Sequence, residues 1–218
     1  VRGLNIDGRN RGGVVGFEIA DSDGTLASNL HIQRCAVCLR WHSKTAGKWV
    51  ERSSVNDSYI VTCAVGVEYL VTGGTPSFNE TAMTNVGVSS CTLGIAQRQG
   101  ADFTRVTWTN VTVWVTANQK GVLFDGRLDH ARLQFGVESF SQTGTVGVEL
   151  GAILAEHDVF EFVQIVADMP LARRDRHLPA AAHRQDAVMH RAIARPAVAL
   201  APRHDGDFQR RQEVSMAV

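Results

Sequence analysis

Along most of the first 169 residues, apolar and polar positions alternate, and the alternation falls into a block that recurs every 28 positions. Asn29-Leu-His-Ile-Gln-Arg-Cys35-Ala-Val-Cys-Leu39 is followed by Asp57-Ser-Tyr-Ile-Val-Thr-Cys63-Ala-Val-Gly-Val67 and then by Asn85-Val-Gly-Val-Ser-Ser-Cys91-Thr-Leu-Gly-Ile95. In each block a turn-forming Asn or Asp leads, and Ile or Val stands three residues on. A Cys six residues on opens a series that is apolar at every second position. A period of two marks a strand with one buried face, and self-similarity at a fixed spacing marks a solenoid. Helical repeats would need apolar residues three and four apart, and no such run occurs before about Leu150. The block length predicts two or three short strands joined by turns, one coil of a parallel β-helix.

Further strands follow from the same pattern. Val15-Gly-Phe-Glu18, Val65-Gly-Val-Glu68, Phe135-Gly-Val-Glu138 and Val146-Gly-Val-Glu149 share a signature whose apolar pair is expected to face inward and whose Gly and Glu outward. Val111, Val113 and Val115 alternate with Asn110, Thr112 and Trp114, the cleanest single strand of the chain. Between strands, the segments 40–54, 70–84 and 98–105 are rich in Gly, Ser, Thr and Asn and are expected to be surface loops, where solenoids commonly carry binding residues.

Composition divides the chain in two. Residues 1–169 hold all the Thr and nearly all the Gly, a mixture suited to strands and tight turns. From Pro170 to Val218 there are nine Arg and five acidic residues, a net charge of +4, and no Lys, Asn, Thr, Cys, Trp or Tyr. Residues 1–169 are therefore expected to form the coil domain. Residues 170–218 are expected to be a disordered or partly helical tail that adds little stability, with a composition that GC-rich DNA read out of frame also produces. A basic arm for nucleic acid is disfavoured, because the Arg residues are scattered and only Phe208 interleaves them. The formal net charge of the whole chain is zero, which implies no broad attraction to nucleic acid or to an anionic membrane. No apolar run approaches the ~18 residues a membrane span needs, and the opening at Val1 suggests a piece of a longer protein.

The cysteines and carboxylates carry the candidate chemistry. Cys35, Cys63 and Cys91 occupy equivalent positions, which predicts one interior column of small buried side chains without a bridge. His31, Cys35, Cys38 and His42 include four usable zinc ligands, but strict alternation would aim Cys35 and Cys38 at opposite faces, so no metal or other cofactor is expected. Cleavage of a polysaccharide needs paired carboxylates on one exposed face. The candidates are Asp125, Asp129, Glu138 and Glu149, with Glu68 on an earlier coil; Glu138 and Glu149 are expected to share a face. Outward carboxylates are also the ordinary solvated face of a strand. Trp41, Trp49, Trp108 and Trp114 are candidates for stacking on sugar rings.

The opening Gly3-Leu-Asn-Ile-Asp-Gly8, the Asn-x-x-Ile-x-x-Cys coils, and Gly121-Val-Leu-Phe-Asp-Gly126 leading to Phe135-Gly-Val-Glu138 resemble right-handed parallel β-helix proteins of the pectate-lyase-like group. Among these the chain looks most like the tail spike, tail fibre and minor tail proteins of bacteriophages. The resemblance covers about residues 1–169 and implies an all-β solenoid in a homotrimer that works with other tail proteins in the virion. It further implies binding, with or without cleavage, of host surface polysaccharide. The alternative it implies is a lyase or glycoside hydrolase, extracellular if secreted. The Asp-Asp and Gly-His-Gly signatures of polygalacturonases and a calcium cluster of pectate-lyase type are absent from the sequence, so the resemblance assigns no catalytic residue.

Overall fold

The computed structural model describes residues 1–139, 144–150 and 162–167. The chain is an all-β parallel solenoid whose coils stack as three sheets, and no helix occurs among the described residues. Sheet A runs in the order β1 (Asn5–Asp7), β4 (His31–Gln33), β7 (Ser54–Val61), β10 (Ala82–Ser89), β13 (Thr107–Val115), β16 (Arg132–Ser139) and β18 (Phe162–Ala167), with β3 (Leu26–Ser28) also paired to β7. Sheet B stacks β2 (Val15–Ala20), β5 (Val37–Ser43), β8 (Val65–Val71), β11 (Leu93–Gln97), β14 (Lys120–Phe124) and β17 (Val146–Leu150). Sheet C stacks β6 (Val50–Glu51), β9 (Ser77–Asn79), β12 (Asp102–Thr104) and β15 (Leu128–Asp129). The 28-residue block is the register of the central coils: Val37 pairs with Val65, and Val65 with Leu93. Beyond them the coils shorten, and Thr107 pairs with Arg132.

The corners explain the leading Asn and Asp. Asn29, Asp57, Asn85 and Asn110 all have φ between 49° and 54°, a left-handed kink that bends sheet A in four successive coils. Asn and Asp tolerate this conformation better than other non-glycine residues. Two more such columns turn the chain elsewhere: Arg34, Thr62 and Ser90 between sheets A and B, and Arg52, Glu80, Arg105 and His130 between sheets C and A. These side chains are poorly suited to positive φ, so sequence reasoning does not reveal their columns.

The third sheet corrects the expectation that segments 40–54, 70–84 and 98–105 are only surface loops. Each carries a short strand with one inward apolar residue, and Val50, Phe78, Phe103 and Leu128 form a fully buried column. One apolar residue per short strand leaves no periodicity to read. Two of the four tryptophans likewise lie inside. Trp41 stacks on Tyr69 at 5.6 Å, and Trp108 stands among Tyr69, Phe103, Phe124 and Phe135 in a continuous aromatic core.

The Gly-x-Glu strands of sheet B also differ from expectation, whereas Gly136 of the fourth, on sheet A, faces outward as expected. A Cβ on Gly66 or Gly94 would lie 2.5 Å from the carbonyl oxygen of the next coil's glycine, Gly94 or Gly121, and would meet a buried valine of sheet A. These glycines therefore line the interior corner where coils approach closely, not the outer face. Cys38 stands at the equivalent place in its own coil, paired with neither glycine in the ladder.

That substitution decides the cysteine chemistry. Cys35, Cys63 and Cys91 are buried at the A-to-B corner, in a column that Gly8 begins. Cys38 reaches up into this column and is bridged to Cys63, with Cα atoms 6.0 Å apart, while Cys35 and Cys91 are free thiols. The ladder thus holds one bridge where none was expected. Cys35 and Cys38 both face inward because Cys35 lies in the corner, where alternation does not apply. Residues 170–218, expected to form the tail, lie outside the described residues.

Candidate functional site

The outer face of sheet A carries two parallel columns of side chains fixed by register. One runs Asn5, His31, Tyr59, Gly87, Thr112 and Gly136. The other runs Asp7, Gln33, Val61, Ser89, Trp114 and Glu138. In the first column the His31 and Tyr59 rings stack at 5.9 Å with planes 24° apart. Tyr59 is 43% exposed and meets Trp114 edge to face at 6.4 Å. The two rings lean together over Gly87, where an added Cβ would stand 2.9 Å from each. A glycine is thus the floor that lets two aromatic side chains from flanking strands close over it. From His31 to Trp114 is three strand steps, ~14 Å at the usual inter-strand spacing.

Polar groups border this strip on both sides. Glu138 accepts a hydrogen bond from Trp114 Nε1 at 2.7 Å, which fixes the indole plane. At the kink of the sheet, Asn85 Nδ2 donates to Asp57 Oδ1 and Asn110 Nδ2 donates to Asn85 Oδ1, each at 2.9 Å. The same left-handed residues that bend the sheet therefore form an amide ladder beside the rings. Near the first coils Arg34 is ion-paired with Asp7. The hydrogen bonds from Arg34 and from the Arg9 backbone hold the Asp7 carboxyl below its usual range despite slight desolvation.

The four carboxylates expected as catalytic candidates are not gathered in one place. Glu138 is on sheet A, whereas Glu149 is on sheet B and pairs with Lys120 at 2.6 Å. Asp129 is on sheet C beside His130 at 2.6 Å, and Asp125 follows β14 at the corner leading to sheet C. Glu138 and Glu149 therefore do not share a face: the Gly-x-Glu signature of 135–138 belongs to a different sheet from the other three. Glu68 faces outward on sheet B but is nearly buried between Arg40 and Arg98, each 2.8 Å from it.

The remaining aromatic and zinc candidates resolve similarly. Trp49 is exposed on the segment before β6 and donates to Glu51 at 2.5 Å, away from sheet A. Trp114 is the one of the four tryptophans that joins the strip. Tyr59 is missed by the sequence reading and His31 enters it only as a zinc candidate, yet the blocks align His31, Tyr59 and Gly87 at one position, which is the signal that finds them. Of the four zinc candidates, His31 stacks on Tyr59, Cys38 is bridged, and His42 contacts Glu18 and Thr72. Among the described residues no group of three or more His, Cys, Asp or Glu side chains is placed to hold a metal ion. No helix among them is long and apolar enough to cross a membrane.

The strip presents flat rings with apolar faces, flanked by amide, hydroxyl and carboxylate groups. Tyr and Trp offer large rigid contact area at small entropic cost, and their amphipathic rings suit ligands that are apolar on one face and polar at the rim. A search of family models, of curated proteins and of solved structures found no match to this chain.

Proposed function

We propose that this chain is a structural and adhesive coil of a bacteriophage tail spike or fibre that holds a host surface polysaccharide on sheet A without cleaving it. The observation that carries the reading is the ring strip His31, Tyr59 and Trp114 over Gly87, bordered by the Asp57, Asn85 and Asn110 ladder. Its length suits an extended polymer, and its open face suits a chain that enters from either side. The phage assignment, with a homotrimer and other tail proteins as partners, rests on the resemblance of the coil motifs. The dispersal of Asp125, Asp129, Glu138 and Glu149 over the three sides of the solenoid favours retention over hydrolysis, since glycoside hydrolysis needs two carboxylates at one bond.

The test is retention on immobilised capsule or cell-wall polysaccharide. Tyr59→Ala or Trp114→Ala should weaken retention about tenfold or more, the loss of one central aromatic anchor. Release of short oligosaccharides, abolished by Glu138→Gln or Asp125→Asn, would overturn the non-cleaving reading in favour of a depolymerase. If Trp114→Ala dissociated a trimer and left retention intact, the strip would be a subunit interface.

A further inference from the structure

Outside sheet B, three side chains from three successive coils meet in an order that the sequence does not display. Glu18 lies on β2, His42 on β5 and Thr72 just past the end of β8. Glu18 Oε1 is 2.7 Å from His42 Nδ1, and His42 Nε2 is 2.8 Å from Thr72 Oγ1. The imidazole side chain is 8% exposed, so its ring is held edge-on between the two neighbours, whereas Thr72 itself is exposed.

The surroundings set the protonation of the group. Lys44 at 3.6 Å and Arg40 at 3.9 Å stand beside the Glu18 carboxylate. Burial pushes that carboxyl up, but the His42 hydrogen bond and these cations outweigh it and leave it below its usual range. An ionised Glu18 accepts from His42 Nδ1–H and leaves Nε2 as the acceptor for the Thr72 hydroxyl proton. The loop that carries Thr72 is fixed by its backbone: Thr72 and Gly74 both donate to Ser43 O, and the buried Ser43 hydroxyl donates to Thr75 O at 2.6 Å. Gly73, the next residue, is backed against Lys44 O so closely that a Cβ would sit 2.8 Å from it. Among the described residues its amide shows no hydrogen-bond acceptor, which leaves it available to a developing oxyanion.

We propose that Thr72, His42 and Glu18 act as a hydroxyl, imidazole and carboxylate triad that hydrolyses a carboxylic ester displayed on an extended polymer. Thr72 Oγ1 attacks the ester carbonyl carbon as its proton passes to His42 Nε2. The tetrahedral oxyanion collapses with cleavage of the carbon–oxygen bond to the alcohol, which leaves with the proton from Nε2. Water then adds to the Thr72 acyl ester, giving its proton to His42. Collapse releases the carboxylic acid, and the proton returns from Nε2 to Thr72. Glu18 orients and stabilises the imidazolium throughout, the role a carboxylate has in such triads. An exposed hydroxyl just past the end of a strand, at the rim of the sheet, suits an ester carried on a chain. If the adhesive reading of sheet A holds, that ester is an O-acyl group on the bound polysaccharide.

The experiment treats the purified full chain with a fluorophosphonate probe and, separately, with p-nitrophenyl acetate. Phosphonylation of the peptide containing Thr72 is expected, with ester turnover that falls about 100-fold or more in Thr72→Val and in His42→Gln. Thr72→Ser should keep both signals. Thr72→Val carries the decision, because its side chain is exposed and the strand content can be checked by circular dichroism. An unlabelled wild-type chain, or labelling unchanged in folded Thr72→Val, overturns the proposal and leaves His42 as a structural link between coils. Labelling without polysaccharide retention would sink the adhesive reading alone, and retention without labelling would sink the triad alone.

Discussion

Two alanine substitutions seven residues apart on the same coil should have opposite consequences. At Gly94 an added Cβ would fall 2.5 Å from the carbonyl oxygen of Gly121 and would also press on Val113, which is fully buried. An ordinary contact needs roughly 3.4 Å, so the coils would have to part by almost 1 Å where they are joined by ladder hydrogen bonds. Neither obstacle is the free end of a flexible side chain. Overpacking of this kind costs about 2–3 kcal/mol, which for a chain of this size lowers the unfolding midpoint by about 4–12 °C. At Gly87 the same methyl group meets only the ring edges of Tyr59 and Trp114, both at 2.9 Å and both on the outer face. Those rings can swing outward, so Gly87→Ala should cost under about 1 kcal/mol while separating the two aromatic planes. Thermal unfolding followed by circular dichroism, with Gly12→Ala as a control in open space, reads the first effect; retention on polysaccharide reads the second. The reasoning fails if Gly94→Ala melts within a degree of the control, or if Gly87→Ala is as damaging to the fold as Gly94→Ala.

Three further outcomes follow from the corners and the pairs. Thr62 is a β-branched residue at φ 58°, and Thr62→Asn should raise stability by about 1 kcal/mol in chemical denaturation. The Cys38–Cys63 bridge spans 25 residues, so reduction, or Cys38→Ala, should cost up to about 3 kcal/mol by restoring chain entropy to the unfolded state; intact mass before and after reduction verifies the bridge itself. The Glu18 carboxyl is depressed below its ordinary value of 4.5, so its contribution is present above that pH and is lost as the pH falls through the lower folded value. Denaturation between pH 3 and pH 7 should therefore show a stability loss on the acid side that is smaller in Glu18→Gln.

Much of the solenoid was legible because its cause is local. Alternation at positions such as Val111, Val113 and Val115 reports a buried face directly, and the Asn and Asp that lead each block report a left-handed kink that few other residues fill so readily. Sheet C escaped because a strand of two or three residues contributes only one inward side chain, as Phe78 and Phe103 do. Trp41 and Trp108 were indistinguishable in sequence from Trp114; inward or outward is a matter of strand parity, which the corners reset in every coil. The same resetting placed Glu138 and Glu149 on different sheets despite an identical local signature. The hydroxyl, imidazole and carboxylate group was invisible for a simpler reason. Its members are 24 and 30 residues apart, neither interval being the 28-residue block, and only stacking brings them together.

The unequal coil lengths have an evolutionary consequence. In the coil of β8 and β9 the path from sheet B to sheet C runs from Val65 to Ser77, whereas in the next coil the aligned path runs only from Leu93 to Asp102. Three residues have gone from that corner, and the flanking strands remain paired as if nothing had been removed. Indels at this rim are therefore cheap, and each coil is free to gain or lose a decoration that its neighbours lack. Thr72 lies in such a stretch and has no counterpart one storey up. The scaffold inherits its geometry from the strands, while whatever is particular to one coil is written at the rim.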